Sequence, residues 1–339
     1  MHQSDFSTLQ VAIIGAGLMG HWHAHALRKM GVTIVAILDS DSSAAAKLAK
    51  SINHTSSIQL FTDIESLLQT VKLDVIHICT PVDSHYTLAL EAIKSGINIV
   101  LEKPVASNLN ETQVLLSEAS KNKVTICPVH QFGFQDGVKK ALSSLESLGD
   151  LLHLRFSTNS AGAEGKSVEY LNEVIADIIP HPLSVLQQIH SDINFQSENW
   201  SGVHSRKGEL QLIGDIDNIG IDIYISMNAR PTRCEMELFC TKGRVLLNFF
   251  HGYAVIEKGK VSKLQKLAQP FKFSFNHFLV ASLNIIRRAL NNEKAYPGLY
   301  SLLSEYYQSI LNKIEPPISE TEIISIAKTR DEVLQRFIL

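Results

Sequence analysis

Short apolar runs rich in β-branched residues alternate with longer amphipathic runs through the first third of the chain. Residues 9–14, 32–38, 74–79, 97–101 and 124–129 read as strands, each a mostly apolar stretch of strand length. The run from residue 20 to about Met30, and residues 42–50, 63–70, 84–95 and 110–121, read as helices. The second of these opens on polar residues ahead of three alanines, and the fourth stops at Gly96. This rhythm implies right-handed βαβ crossovers and a parallel sheet. Near Cys127-Pro128 the pattern changes. Residues 151–158, 209–216, 220–227, 233–240 and 244–250 alternate apolar and polar, with short turns at 217–218, 228–232 and 241–243. They predict an antiparallel meander with one open face. Helices are expected at 168–179, 275–290 and 320–337.

The pattern therefore predicts an α/β chain of two domains. Residues 1–127 form a parallel, doubly wound unit. Residues 128–339 form an α+β unit with a large, mostly antiparallel open sheet, and the helix at 320–337 packs back on the first. A length of 339 residues suits that division. At 45% hydrophobic and 19% charged, the composition is that of a folded globular chain. Lys and Arg number 31 against 34 Asp and Glu, so no basic excess points to nucleic acid. No apolar run is long enough for a membrane span, and the polar start MHQSDFSTLQ has no secretory pattern. A cytoplasmic protein with no membrane partner is expected. Cys79, Cys127, Cys234 and Cys240 form no C-x-x-C pair and read as reduced thiols. His21, His23 and His25 read as packing and solvent positions, and no metal site is expected.

Gly15-x-Gly17-x-x-Gly20 follows the first strand and opens the first helix. The first glycine permits the tight turn, the second lets backbone N–H groups approach a pyrophosphate, and the third lets helix and strand pack closely. Leu18 and Met19 belong to the same loop. Asp39 stands where the second strand ends. Its carboxylate suits ribose hydroxyls and repels a 2′-phosphate, and Ser40 and Asp41 bring no cation to offset that. The reading is a Rossmann domain that takes NAD rather than NADP. Ligands of such sheets lie beyond the carboxyl ends of the strands, which places Cys79, Thr80, Pro81 and His85 on the cofactor path.

The next strand ends in Glu102-Lys103-Pro104, where charge must be paired or used. Together with Gly15–Gly20, Cys79-Thr80-Pro81 and a later Asp-x-x-x-His, this segment closely resembles the Gfo/Idh/MocA oxidoreductases, the glucose-fructose oxidoreductase and inositol dehydrogenase group. The resemblance implies a bound NAD(P) and a catalytic role for Lys103, whose ammonium can stabilise negative charge on the substrate oxygen. Lys103-Pro104 is a bond at which a cis peptide is accessible. The Asp-x-x-x-His maps onto Asp177 and His181. The histidine would be the general base, and the aspartate would bind substrate or orient the ring. Pro180 and Pro182 flank His181, so the helix is expected to break there, with a new one beginning at Pro182. His130 and Gln131 are further polar groups expected to line the site.

The resemblance implies an NAD(P)-dependent dehydrogenase acting on a secondary alcohol or ketone of a sugar, cyclitol or nucleotide-sugar. Two alternatives stay open: a cofactor-binding regulatory protein without turnover, and a same-fold reductase of a C=C or C=N bond. In the second domain, Leu210, Leu212 and Ile216 are assigned to one face of the sheet and Ile221, Ile223 and Ile225 to another. An apolar face of this kind calls for a second copy, so a homo-oligomer, dimer or tetramer, is expected.

Overall fold

The computed structural model describes residues 5–52, 58–160, 162, 164–190, 200–203, 207–259, 262–293 and 295–337. The chain divides into two compact units. The first comprises Met1–His130 and Leu299–Lys328, and the second Gln131–Gly298 and Thr329–Leu339. The first boundary thus lies a few residues beyond the expected 127, and a later segment joins the first unit.

The first unit runs β1 (Gln10–Ile14), α1 (Leu18–Met30), β2 (Thr33–Leu38), α2 (Ser42–Ile52), β3 (Gln59–Phe61), α3 (Ile64–Thr70), β4 (Val75–Ile78), α4 (His85–Lys94), β5 (Asn98–Leu101), α5 (Leu109–Asn122) and β6 (Ile126–Pro128). The six strands are parallel in the order β3-β2-β1-β4-β5-β6, reversing direction of travel at β1 and β4. That is the doubly wound order whose switch point receives a nucleotide. Val11–Ile14 and Val75–Ile78 are fully buried, as a sheet covered on both faces requires.

The second unit contains α6 (Asp136–Leu148), β7 (Leu151–Asn159), α7 (Val168–Ile178), α8 (Pro180–Ile189), β8 (Trp200–Val203), β9 (Glu209–Ile216), β10 (Ile219–Ser226), β11 (Arg233–Cys240), β12 (Gly243–Asn248), β13 (Tyr253–Lys258) and α9 (Lys263–Leu290). Its seven strands follow the order β13-β12-β11-β7-β10-β9-β8. Every pair is antiparallel except β7 with β10. The expected meander is therefore interrupted by one parallel pair.

The register corrects the assignment of faces. Leu210 pairs with Ile225 and Leu212 with Ile223. Directly opposed residues point to the same side of a sheet, so both sets share one face. All six named side chains are buried within the chain. The opposite face is mainly charged and polar, with Ile213, Phe239 and Leu246 among its side chains. Arg155 sits between Glu237 and Asp222 on the neighbouring strands, and Arg244 faces Glu237 and Glu257. The apolar surface that motivated homo-oligomerisation is thus already covered by the chain itself.

Two helices complete the chain, α10 (Leu299–Asn312) and α11 (Glu320–Phe337). α10 belongs to the first unit, while α11 crosses the boundary between Lys328 and Thr329. Among the described residues, no helix is long and apolar enough to cross a membrane.

Candidate active site

In the first unit, backbone hydrogen bonds carry the parallel ladder one residue past the strand ends. Gly15 donates to Leu38 (2.8 Å), Cys79 to Ile14 (2.7 Å), Glu102 to Ile78 (3.0 Å) and Val129 to Leu101 (2.9 Å). The loops after β1, β2, β4, β5 and β6 are thereby lined up along one edge. Gly15 has φ +96°, and a Cβ there would meet the Cys79 carbonyl at 2.8 Å. A Cβ on Gly20 would come within 2.0 Å of the Gly15 carbonyl oxygen, which is why helix and turn can close only on glycine.

Around Gly17 the opposite holds: an added Cβ would meet nothing within 4 Å. Gly17 caps α1 without a side-chain hydrogen bond, and the first turn carries no acid. In α3 and α5 the same position is closed by the side chains of Asp63 and Asn108. The N–H groups and positive end of α1 therefore face open space, which suits a pyrophosphate. Leu18 is exposed beside it. Asp39 at the end of β2 accepts from Ala16 N–H (2.7 Å) and Asp41 N–H (2.9 Å), so its carboxylate is fixed at the rim of the glycine loop. Ser40 is exposed next to it. These residues fit a dinucleotide.

After β4, Ser84 donates to Thr80 Oγ1 (2.7 Å) and Pro81 is exposed. His85 departs from its expected role. Its ring is buried, with Nδ1 2.9 Å from the Pro104 carbonyl and Nε2 2.9 Å from the Thr80 carbonyl. Both nitrogens are engaged inside the protein, so the ring braces two loops of the site rather than facing a ligand. The Lys103–Pro104 bond in one of those loops is cis.

Glu102 is buried and anchors a hydrogen-bond chain that pattern reading missed. Tyr307 OH lies 2.8 Å from His77 Nε2, His77 Nδ1 lies 2.7 Å from His23 Nδ1, and His23 Nε2 lies 3.0 Å from Glu102 Oε1. Burial, and then His23, hold His77 well below the usual imidazole range, so it is neutral. Burial raises the Tyr307 phenol well above its usual range, so it keeps its proton. A tautomer set that satisfies all four groups has Tyr307 O–H donating to His77 Nε2, His77 Nδ1–H donating to His23 Nδ1, and His23 Nε2–H donating to Glu102 Oε1. The chain thus fixes the residue immediately before Lys103. Cys79 also senses Glu102: burial, and then that carboxylate, push its thiol well above the usual range. Tyr307→Phe removes the first donor and leaves His77 Nε2 buried without a partner. A loss of about 1–3 kcal/mol in unfolding free energy is expected from urea titration, and an unchanged midpoint would contradict the chain.

Lys103 is half-buried beyond the end of β5. His130 follows β6 and is buried, with no hydrogen-bond partner for Nδ1. Burial, and then the Lys103 cation, lower its imidazole to about 4. A neutral ring nitrogen without a partner near an ammonium is a place that a polar ligand atom would satisfy. Gln131 opens the second unit, buried, with Oε1 unpaired.

Within the second unit, His181 occupies the first turn of α8, which starts at Pro180 rather than at Pro182. Pro180 lacks an N–H, so the Ala176 carbonyl loses its donor from within the helix. Arg330 Nε donates to that carbonyl instead, at 3.3 Å. Ile179 keeps helical angles (φ −50°, ψ −42°), so the expected break is a missing bond and not a change of course. The His181 ring stacks on Phe132 (4.2 Å, 14°), and Phe132 stacks on Phe249 (4.6 Å, 7°). The plane of the imidazole is thereby fixed. Asp177 is exposed at the end of α7 and sensed by Arg330, which it helps keep protonated against burial. Arg330, 149 positions beyond His181 in the chain, carried no signal of this role. No group of three or more His, Cys, Asp or Glu among the described residues could hold a metal ion.

The parallel sheet with its open glycine loop and carboxylate at β2 defines an NAD-binding Rossmann domain. Residues 9–130 match the family model described as "Oxidoreductase family, NAD-binding Rossmann fold". Over those residues the chain is similar to the Gfo/Idh/MocA oxidoreductases. It is 25% identical over 201 residues to D-apiose dehydrogenase of Paraburkholderia graminis, a match covering 57% of this chain and 53% of that one. It is also 25% identical over 237 residues to inositol 2-dehydrogenase of Corynebacterium glutamicum, covering 65% and 67%. The chain thus spans about half the length of the first of these relatives. UDP-N-acetylglucosamine 3-dehydrogenase GnnA from Acidithiobacillus ferrooxidans has the same fold, with a TM-score of 0.74 over 97% of both chains at 14% identity.

Proposed function

We propose that the protein is an NAD-dependent dehydrogenase that interconverts a secondary alcohol and a ketone on a polyhydroxylated small molecule, namely a sugar, cyclitol or nucleotide-linked sugar. The observation that carries the reading is Lys103 beyond β5, aligned with an open glycine loop and near the unpaired nitrogen of His130. The similarity to sugar and cyclitol dehydrogenases supports the substrate class. When bound, the dinucleotide supplies or accepts the hydride. The glycine loop and the start of α1 hold its pyrophosphate, and Asp39 receives its ribose hydroxyls. The Lys103 ammonium donates to the substrate oxygen and offsets negative charge developing on it. His181 takes the hydroxyl proton, and Asp177 binds a substrate hydroxyl or orients the ring.

The test is absorbance at the reduced-nicotinamide band when the protein with NAD meets a panel of sugars, cyclitols and nucleotide-sugars. Turnover on at least one is expected. Dinucleotide binding with no turnover on any of them would replace the reading with a regulatory one. Asp39 also sets an expectation for cofactor choice. NAD should bind at least tenfold more tightly than NADP, about 1.4 kcal/mol, and Asp39→Ala should narrow the gap. Equal affinities by calorimetry would sink it.

A further inference from the structure

An ordinary surface helix buries its apolar face and shows its polar one. α9 does the reverse. Its inner side carries polar anchors around Phe273, which packs against His277 and beneath Arg244: Asn276 donates to the Ile256 carbonyl (3.2 Å), Asn284 donates to the His251 carbonyl (2.9 Å), His277 lies 2.8 Å from the Tyr253 hydroxyl, and the half-exposed Arg287 is ion-paired with Asp136. Its outer face is apolar. Phe271 (78%), Phe275 (64%), Phe278 (67%), Leu283, Ile286 and Leu290 are all exposed. The three phenylalanines alone leave on the order of 300–400 Å² of ring surface uncovered. With the aliphatic residues the patch exceeds the few hundred Å² that a monomer ordinarily shows.

Charge selects the occupant. The 28 residues of α9 include three lysines, two arginines and no carboxylate, in a chain of net charge −3. With Arg287 already paired to Asp136, the exposed lysines Lys266 and Lys272 would find no carboxylate on the same helix of a second copy laid against it. Beside the first half of α9 lies a cavity of about 590 Å³, lined by Lys242, Arg244, Lys258, Lys266 and Lys272. Its one acid, Glu257, is already bound to Arg244. An exposed aromatic and aliphatic face flanked by a basic cavity matches a leaflet of anionic phospholipid, with acyl chains against the face and headgroup phosphate in the cavity. The polar face of α9 is anchored to β13, and the helix is not apolar enough along its length to cross a bilayer.

We propose that α9 docks the protein on anionic phospholipid membranes, its apolar face entering the headgroup–acyl boundary and the neighbouring basic cavity seating a lipid phosphate. The proposal departs from the sequence-based expectation of no membrane partner, and it does not depend on the dehydrogenase reading. Full-length protein is floated with vesicles of phosphatidylcholine alone and with vesicles of equal parts phosphatidylcholine and phosphatidylglycerol. Binding at least about tenfold stronger to the anionic vesicles is expected. The triple variant Phe271→Ser, Phe275→Ser, Phe278→Ser and the double variant Lys266→Glu, Lys272→Glu should each lose about tenfold or more, with unfolding midpoints unchanged because these side chains are exposed. Equal binding to both vesicle types, or variants that float like the parent, would overturn the proposal. So would a wild-type protein that ignores vesicles and sediments as a dimer that the phenylalanine variant dissociates, since the face would then belong to a second copy.

Discussion

Lys103→Ala is expected to lower turnover by roughly 10²–10⁴-fold while NAD affinity changes by less than about 1 kcal/mol. The asymmetry follows from position. The groups suited to the dinucleotide's phosphates and ribose are the open loop at Gly17, the uncapped start of α1 and Asp39. Lys103 belongs instead to the loop after β5, held by the buried chain that ends on Glu102. His181→Ala should give a loss in the same range, because a fixed imidazole is asked to move the proton. The double variant should be less than multiplicatively worse, since both groups serve one event. Steady-state turnover and calorimetric NAD binding on the four proteins decide the matter. Full turnover in His181→Ala alongside its loss in Lys103→Ala would remove the histidine from the mechanism and leave the lysine as the acid–base group.

Acid should destabilise the first unit well before its carboxylates titrate. His130 is held at about 4 against an ordinary 6.5, mainly by burial, and His77 is held well below 6.5 for the same reason. Between those limits the unfolded chain binds protons that the folded chain does not. Stability is therefore full above pH 6.5 and falls as pH drops toward the folded values. At about pH 5, His130 alone accounts for a loss of about 2 kcal/mol, and His77 adds to it in the same direction. That is a large share of the ~5–15 kcal/mol by which domains are ordinarily stable. Urea midpoints above pH 7 and near pH 5 measure the difference. His130→Asn should flatten the slope by the contribution of one proton, and because His130 Nδ1 has no partner the substitution breaks no bond at that atom. Equal midpoints at the two pH values would show that these rings are not held neutral.

How far the site could be read from the chain depended on sequence distance. The glycine loop, Asp39, the residues after β4 and Glu102-Lys103-Pro104 are local features, each at the end of an apolar run, and the alternation of those runs sets them side by side. Tyr307, His77, His23 and Glu102 form one chain only because α10 returns to the first unit, and the Tyr307–His77 link spans 230 positions. No periodicity announces such a link. The expected set of helices lacks α6 and α10, although both are amphipathic, and lacks the first turns of α9, which carries Pro270 inside it. The two-face assignment of the second sheet failed because alternation within each strand does not reveal how two strands are registered; the pairing of Leu212 with Ile223 does.

The joint between α7 and α8 shows how a residue can be explained by a gap somewhere else. Proline at 180 withholds the donor that the Ala176 carbonyl would otherwise receive, and Arg330, from near the end of the chain, fills it. The two positions are thus one choice written twice. A chain with alanine at 180 could close its own helix without the guanidinium, while a chain with proline there and no arginine would bury a bare carbonyl. In this chain, a change at 180 is therefore also a change to what Arg330 must do.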